Sequence, residues 1–295
     1  MKTCVIANPN SGAADDTGAL AANLLRLKHF TFRTAEAPED SSRFAAEAIR
    51  DGYERIVAAG GDGTLNGVVN GMAGNFGAAC LGLIPLGTGN DFARSIGLTA
   101  DPAQAVDTLL ANRIREIDVV RVHNGGVCHF LNVSGAGFTA EVGENISDVA
   151  KSWWGGIAYV WAAAKTLPSL REYQATLVFD DREKLQITAY NIMIANARYV
   201  GGGIPVAPQA QLDDGLMDIL IVPVMPASAL LTVIPKILNG THIDSPELIF
   251  RRAAKVHVCC YPEIPFNVDG ELMGTGPVTF ETLPRTLRMV VGAET

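Results

Sequence analysis

The sequence predicts an α/β domain followed by an all-β domain of the β-sandwich kind. Three observations carry this expectation. Strand and helix patterns alternate as far as about Asn112. From about Ile117 the pattern changes to short runs of alternating polarity. Three glycine-containing turns in the first part each follow a predicted strand.

Stretches over 3–7, 30–34, 55–59 and the apolar 78–86 read as strands, and stretches over 17–27, 41–51, 64–70, 90–96 and 102–112 as helices. Such alternation predicts parallel strands joined by crossover helices. Gly71 and Gly97 are natural helix stops. Runs over 119–122, 128–133, 175–179 and 185–195, with turn residues between them, predict antiparallel strands. The first domain is therefore placed over 1–121 and the second over 122–284, with the return of 285–295 to the first domain left open.

Two segments stand out from this pattern. Residues 147–170 carry Trp153, Trp154, Tyr159 and Trp161 in a helix-like stretch broken by Gly155 and Gly156. This is either an amphipathic element for a membrane–water interface or a helix packed on the sandwich. Residues 219–238 are apolar, but Pro223, Pro226 and Pro235 argue against a spanning helix. A strand over 217–222 and a helix opening near Pro226 fit better, with core packing favoured over lipid contact.

The 295 residues suffice for two cored domains, and 48% apolar against 18% charged residues describes a chain that folds throughout. A net charge of −8 argues against nucleic acid as a partner and against permanent docking on anionic membranes. Cys4, Cys80, Cys128, Cys259 and Cys260 have no metal-ligand spacing and read as reduced core residues. The start turns polar at Asn8 and lacks the apolar stretch of a secretory signal, so a cytoplasmic location is expected.

The chemistry gathers at the glycine turns. In a parallel sheet such turns converge at the carboxyl ends of the strands, where α/β proteins bind ligands. In Gly60-Gly61-Asp62-Gly63-Thr64-Leu65-Asn66, glycines permit close backbone approach and Asp62 or Thr64 can cap the next helix. Exposed N–H groups and the helix dipole then favour an anion, although a bare glycine pair also makes an ordinary tight turn. The second turn, Pro85 to Arg94 (PLGTGNDFAR), brings hydroxyl, amide, carboxylate and guanidinium groups together; Asn90 or Asp91 as a helix cap is its plainer reading. The third, Asn8-Pro9-Asn10-Ser11-Gly12, is by itself a plausible loop. No GxxxxGK[ST] loop is present, and no GxGxxG follows a strand.

Taken in order, NPNSG, GGDGTLN and PLGTGNDFAR resemble the diacylglycerol kinase catalytic family, above all its short bacterial branch. NARYVGGGIPVAPQAQLDDG over 196–215 and Asn267-Val268-Asp269-Gly270-Glu271 resemble later family segments. The resemblance implies an N-terminal nucleotide-binding α/β domain, a C-terminal β-sandwich and an ATP site in the cleft between them. It assigns the phosphates of ATP to Gly60, Gly61, Asp62, Gly63, Thr64, Leu65, Asn66 and Thr88, with Thr34 nearby, and makes Asn8 and Asp91 necessary for activity. Glu271 becomes the general base for a lipid hydroxyl and Asp269 an organiser of magnesium. A second magnesium, structural in kind, falls to the carbonyls of Gln211 and Leu216 and the Asp214 carboxylate, a hard oxygen set.

One position departs from the family, which usually has glutamate where this chain has Gly67. Glycine there costs roughly 1 kcal/mol against alanine and removes a carboxylate from the edge of the expected phosphate site. The expected function is transfer of the γ-phosphoryl group of ATP to a lipid hydroxyl, most readily that of diacylglycerol, by a protein that visits the inner membrane face during turnover. Other readings are a kinase for NAD, phosphatidylglycerol, a sphingoid base or ceramide, or a binding protein with weakened catalysis. A homodimer is compatible with all of these.

Overall fold

The structure, a computed structural model, describes residues 1–9, 11, 17–137 and 170–293. The tryptophan-bearing stretch and Asn10 and Gly12 of the first glycine turn lie outside the described residues.

Four parallel strands open the fold: β1 (Thr3–Ala7), β2 (Phe30–Thr34), β3 (Arg55–Gly60) and β4 (Cys80–Pro85). They lie side by side in the order β4-β3-β1-β2. Every residue of β1, β3 and β4 is buried, as expected for strands covered on both faces. On one face Cys4, Ile6, Ile56 and Ala58 meet helices α2 (Asp40–Arg50) and α3 (Asp62–Gly71). On the other, Val5, Ala7, Val57 and Ala59 meet α1 (Thr17–Leu24) and α5 (Pro102–Ala111). Burying one such Ile or Val contributes about 1.5–3 kcal/mol. The short α4 (Asp91–Ser95) follows the second glycine turn and ends at Gly97, whose φ of +69° suits glycine.

The second part is antiparallel. β5 (Ile114–His123) and β6 (Val127–Phe130) form a hairpin, followed by β7 (Val133–Gly137), β8 (Tyr173–Phe179), β9 (Glu183–Ala195) and β10 (Met217–Pro223). Helix α6 (Ala227–Leu238) then leads to β11 (Ile249–Ala253), β12 (Lys255–Tyr261), the hairpin β13 (Phe266–Val268) with β14 (Glu271–Leu272), and β15 (Val278–Val290). The interior between these strands is aromatic and aliphatic, with Phe130, Phe266 and Phe280 fully buried and in edge contact. α6 buries Leu230 and Val233 in a separate cluster with β9 and β10.

The long β15 joins the two parts. Its first half pairs with β12, and its last residues return to the first sheet, where Met289 pairs in parallel with Leu81 of β4. One continuous hydrogen-bonded path therefore runs from β14 to β2. Of the cysteines, Cys259 departs from the expected core position. It is exposed while Cys260 is buried, because neighbours on a strand point to opposite faces.

Candidate active site

β1 leads to β2 on one side and β3 lies on its other side, so the point where the strand order reverses falls between β1 and β3. Ala7 and Gly60 end these strands, and the Asn8 N–H donates to the Ala59 carbonyl at 3.1 Å. The GGDGT and NPNSG turns are thereby adjacent at one crevice.

Close packing explains the glycines. A Cβ on Gly60 would collide with the Thr64 hydroxyl, and one on Gly87 would stand 2.5 Å from the Gly61 Cα. The turns after β3 and β4 touch backbone to backbone, which only glycine permits. α3 starts at Asp62, so the N–H groups of its first residues have no partner within the helix. Gly63 is exposed, with open space around it, so those groups can face an anion supported by the helix dipole. Thr64 is buried with its hydroxyl against Gly60, and the Leu65 side chain lies in the core.

Asp62 caps a helix, but not the one expected. Gly61 occupies the N-cap of α3 without a side-chain bond, and the Asp62 carboxylate instead accepts the N–H groups of Asp91 (3.1 Å) and Phe92 (3.2 Å) at the start of α4. Asn90 sits in the left-handed region at φ 52° and bonds back to Gly87 instead of capping α4. The buried Asp91 carboxylate accepts the Gly202 N–H through both oxygens, at 3.1 and 3.0 Å. Burial raises its pKa, the Gly202 bond opposes this, and the charge of Asp62 adds to the rise. Asp91 thus ties the second glycine turn to the glycine-rich stretch of the second part.

Asn66 and Asp269 form another tie. The buried Asn66 amide donates to the His129 carbonyl at 3.2 Å and to Asp269 Oδ2 at 3.4 Å. Asp269 also accepts the N–H groups of Leu131 (3.2 Å) and Val133 (3.1 Å). Burial pushes its carboxyl up to about 7 against the effect of these donors. The Asp269 carboxylate, expected to organise magnesium, is thus held by three N–H donors. Its φ of +45° and that of Gly270 (+98°) make the tight turn that leads into Glu271. Glu271 and Leu272 are exposed. Thr34 and Thr88 are exposed too, Thr34 at the end of the edge strand β2 and Thr88 in the second turn.

Gly67 packs against the start of α2. A Cβ there would stand 2.8 Å from the Ser41 Cβ, and one on Gly71 would collide with the Ser42 carbonyl. These glycines let α2 and α3 pack closely, so a side chain at 67 would set out toward α2.

The Gln211, Asp214 and Leu216 set lies on the segment leading into β10. The Asp214 carboxylate accepts the Leu216 N–H at 3.0 Å and pairs with Arg252, while Asp213 makes two bonds to Arg115 at 2.9 and 2.6 Å. Two carbonyls and a carboxylate around one turn suit a hard cation, which would share Asp214 with Arg252. Among the described residues no group of three His, Cys, Asp or Glu side chains offers another metal centre.

Sequence reasoning missed Asp118. Fully buried, it accepts the Gly215 and Arg285 N–H groups, each at 2.7 Å, and so holds the segment with Asp214 against β15. Burial raises its pKa and these two bonds oppose the rise. A lone aspartate inside the apolar run Ile117-Asp118-Val119-Val120 was the available signal.

The chain is similar to known proteins along nearly its whole length. Residues 2–122 match the model of the diacylglycerol kinase catalytic domain, and residues 132–291 match the YegS C-terminal NAD kinase β-sandwich-like domain. A diacylglycerol kinase of Bacillus subtilis is 32% identical, over 98% of this chain and 96% of its own. One from Staphylococcus haemolyticus is 30% identical, over 98% of this chain and 88% of its own. A crystal structure of a candidate diacylglycerol kinase from Bacillus anthracis superposes with a TM-score of 0.85 at 27% identity, covering 99% of this chain and 95% of that one. Among the described residues no helix is long and apolar enough to cross a membrane.

Proposed function

Because the chain belongs to the diacylglycerol kinase family of lipid kinases, we propose that it transfers the γ-phosphoryl group of ATP to the hydroxyl of a membrane lipid, diacylglycerol first among candidates. The observation that carries this reading is the bond between Asn66 and Asp269. It joins the helix with the anion-binding N-terminus to the hairpin that presents Glu271.

On this reading the N–H groups at the start of α3 hold phosphate oxygens. Asp62 and Asp91 keep the two glycine turns and the 201–203 stretch together around the nucleotide. Asn8, Thr34 and Thr88 border the same end of the sheet. The lipid oxygen attacks the γ-phosphorus, its proton passes to the Glu271 carboxylate, and the bond to the bridging oxygen breaks to leave ADP. Magnesium accompanying ATP offsets phosphate charge. Gln211, Leu216 and Asp214 are the residues that would hold a second ion. Asp269 holds the hairpin. Exposed Leu272 beside Glu271 offers an apolar surface to acyl chains.

The test is incubation of purified protein with labelled ATP, magnesium and mixed micelles of a lipid panel, with NAD as a separate arm. Phosphatidic acid is the expected product. No labelled lipid, while a known lipid kinase produces it, overturns the reading, and label in NAD alone replaces it with a soluble acceptor.

A further inference from the structure

One turn beyond Asn66, a second carboxamide on α3 grips the backbone of β6. Asn70 Oδ1 accepts the His129 N–H at 2.8 Å, and Nδ2 donates to the His129 carbonyl at 2.9 Å. The same Nδ2 lies 3.0 Å from both the Asn66 carbonyl and Asn66 Oδ1. Among the described residues β6 pairs only with β5, so Asn70 takes the place of a neighbouring strand on its other edge. The His129 ring is held as well, edge-on to Phe76 with centroids 5.3 Å apart.

The contacts continue toward the candidate base. Asn66 meets the same His129 carbonyl and reaches Asp269, which in turn collects the N–H groups of Leu131 and Val133. Asp269 lies two residues before Glu271. The N-terminus of α3 faces the crevice, while its second turn holds Asp269 and its third holds His129. A rigid helix therefore sets the spacing between the crevice and these contacts.

We propose that Asn70 is a positioning residue for phosphoryl transfer: by clamping His129 it keeps the hairpin bearing Glu271 in register with the anion-binding end of α3. The proposal rests on the lipid-kinase reading above. Only a carboxamide of this length offers a donor and an acceptor together at this spacing; aspartate lacks the donor and alanine both. Asn66 does not replace it: with alanine at 70 the His129 N–H loses its acceptor, and with aspartate an oxygen without a proton faces the His129 carbonyl, the Asn66 carbonyl and Asn66 Oδ1, each a costly state beside a buried residue.

The experiment compares the full chain with its Asn70→Asp and Asn70→Ala variants. Three quantities are measured: lipid phosphorylation in micelles, binding of a fluorescent ATP analogue, and amide hydrogen exchange over 127–133 and 266–273. For both variants kcat is expected to fall about ten- to hundredfold, the scale of an ångström-level misplacement. Analogue affinity should stay within about twofold, because the start of α3 is untouched, while exchange over 266–273 accelerates.

A kcat for Asn70→Asp within about twofold of wild type overturns the proposal, as does unchanged exchange over 266–273. Parallel loss of analogue binding and turnover also overturns it, since that marks a general structural role. If Asn70→Ala does not fold, Asn70→Asp, which keeps the shape and the acceptor, decides alone. If the wild type phosphorylates no lipid, the kinase reading has failed by itself. Hydrogen exchange then decides the clamp: acceleration over 266–273 supports it and no change overturns it.

Discussion

The Asp62 carboxylate accepts the N–H of Asp91 at 3.1 Å, so a residue of the first turn of α3 caps a helix that begins 29 positions later. The bond fixes the two glycine turns against each other. Asp62→Ala should lower stability by about 1–2 kcal/mol through loss of the cap and lower lipid phosphorylation by about a hundredfold through movement of the second turn. Urea unfolding beside the labelled-ATP assay checks both; unchanged stability would remove the capping role.

Gly67 is required by helix packing. Gly67→Ala forces the Ser41 side of α2 outward and should cost about 1–3 kcal/mol, more than any gain in helix propensity returns. Gly67→Glu, which restores the usual family residue, should destabilise further without raising turnover. Denaturation curves and the lipid assay read these outcomes, and a faster, stable Gly67→Glu protein would contradict the packing account.

Glu271 is exposed and makes its proposed contribution only to chemistry. Glu271→Gln should leave the unfolding free energy within about 0.5 kcal/mol. Lipid phosphorylation should fall about 10²- to 10⁴-fold, the usual contribution of a general base. Equal label incorporation by variant and wild type would exclude the residue from proton transfer.

Burial, followed by the charges of Arg121 and His123, holds the His129 pKa below its ordinary 6.5. The unfolded chain therefore binds a proton at this residue before the folded one does, and stability is lost as pH falls below about 6.5. His129→Phe keeps the backbone clamp and the contact with Phe76 but removes this titration. The melting temperature of the variant relative to wild type should rise between pH 7.5 and 5.5, and a pH-independent difference would count against a neutral buried imidazole.

Arg252 competes for the Asp214 carboxylate with any cation on the Gln211–Leu216 segment. Arg252→Met should therefore increase the rise in melting temperature that magnesium produces, and Asp214→Asn should abolish it. Equal magnesium responses in all three proteins, read by thermal unfolding without nucleotide, would place the ion elsewhere.

Much of this site was legible in the residue order. Strands β1, β3 and β4 show as mainly apolar runs, and the glycines that follow them mark turns that must come together once the strands are parallel. The Asp269-Gly270 turn shows as a hairpin because both residues tolerate positive φ. Asp118 and Asn70 were not legible as site residues. Asp118 is a lone carboxylate in an apolar run of β5 and Asn70 one of several polar residues on α3, and the Gly215 and His129 groups they hold lie 97 and 59 positions away along the chain. The destination of β15 was equally hidden, since one strand pattern serves either sheet.

By itself, the sequence determined the two-part architecture, the GGDGT turn at the end of a strand and the motif set of a lipid kinase family. These are local matters of periodicity, backbone freedom and residue identity. Only the tertiary structure decided which carboxylate caps which helix, that Gly67 faces Ser41 and that α3 reaches Asp269 through Asn66 and His129 through Asn70. The reason is physical: a hydrogen-bonding side chain specifies what kind of partner it needs, and the packing of distant segments chooses which one it meets.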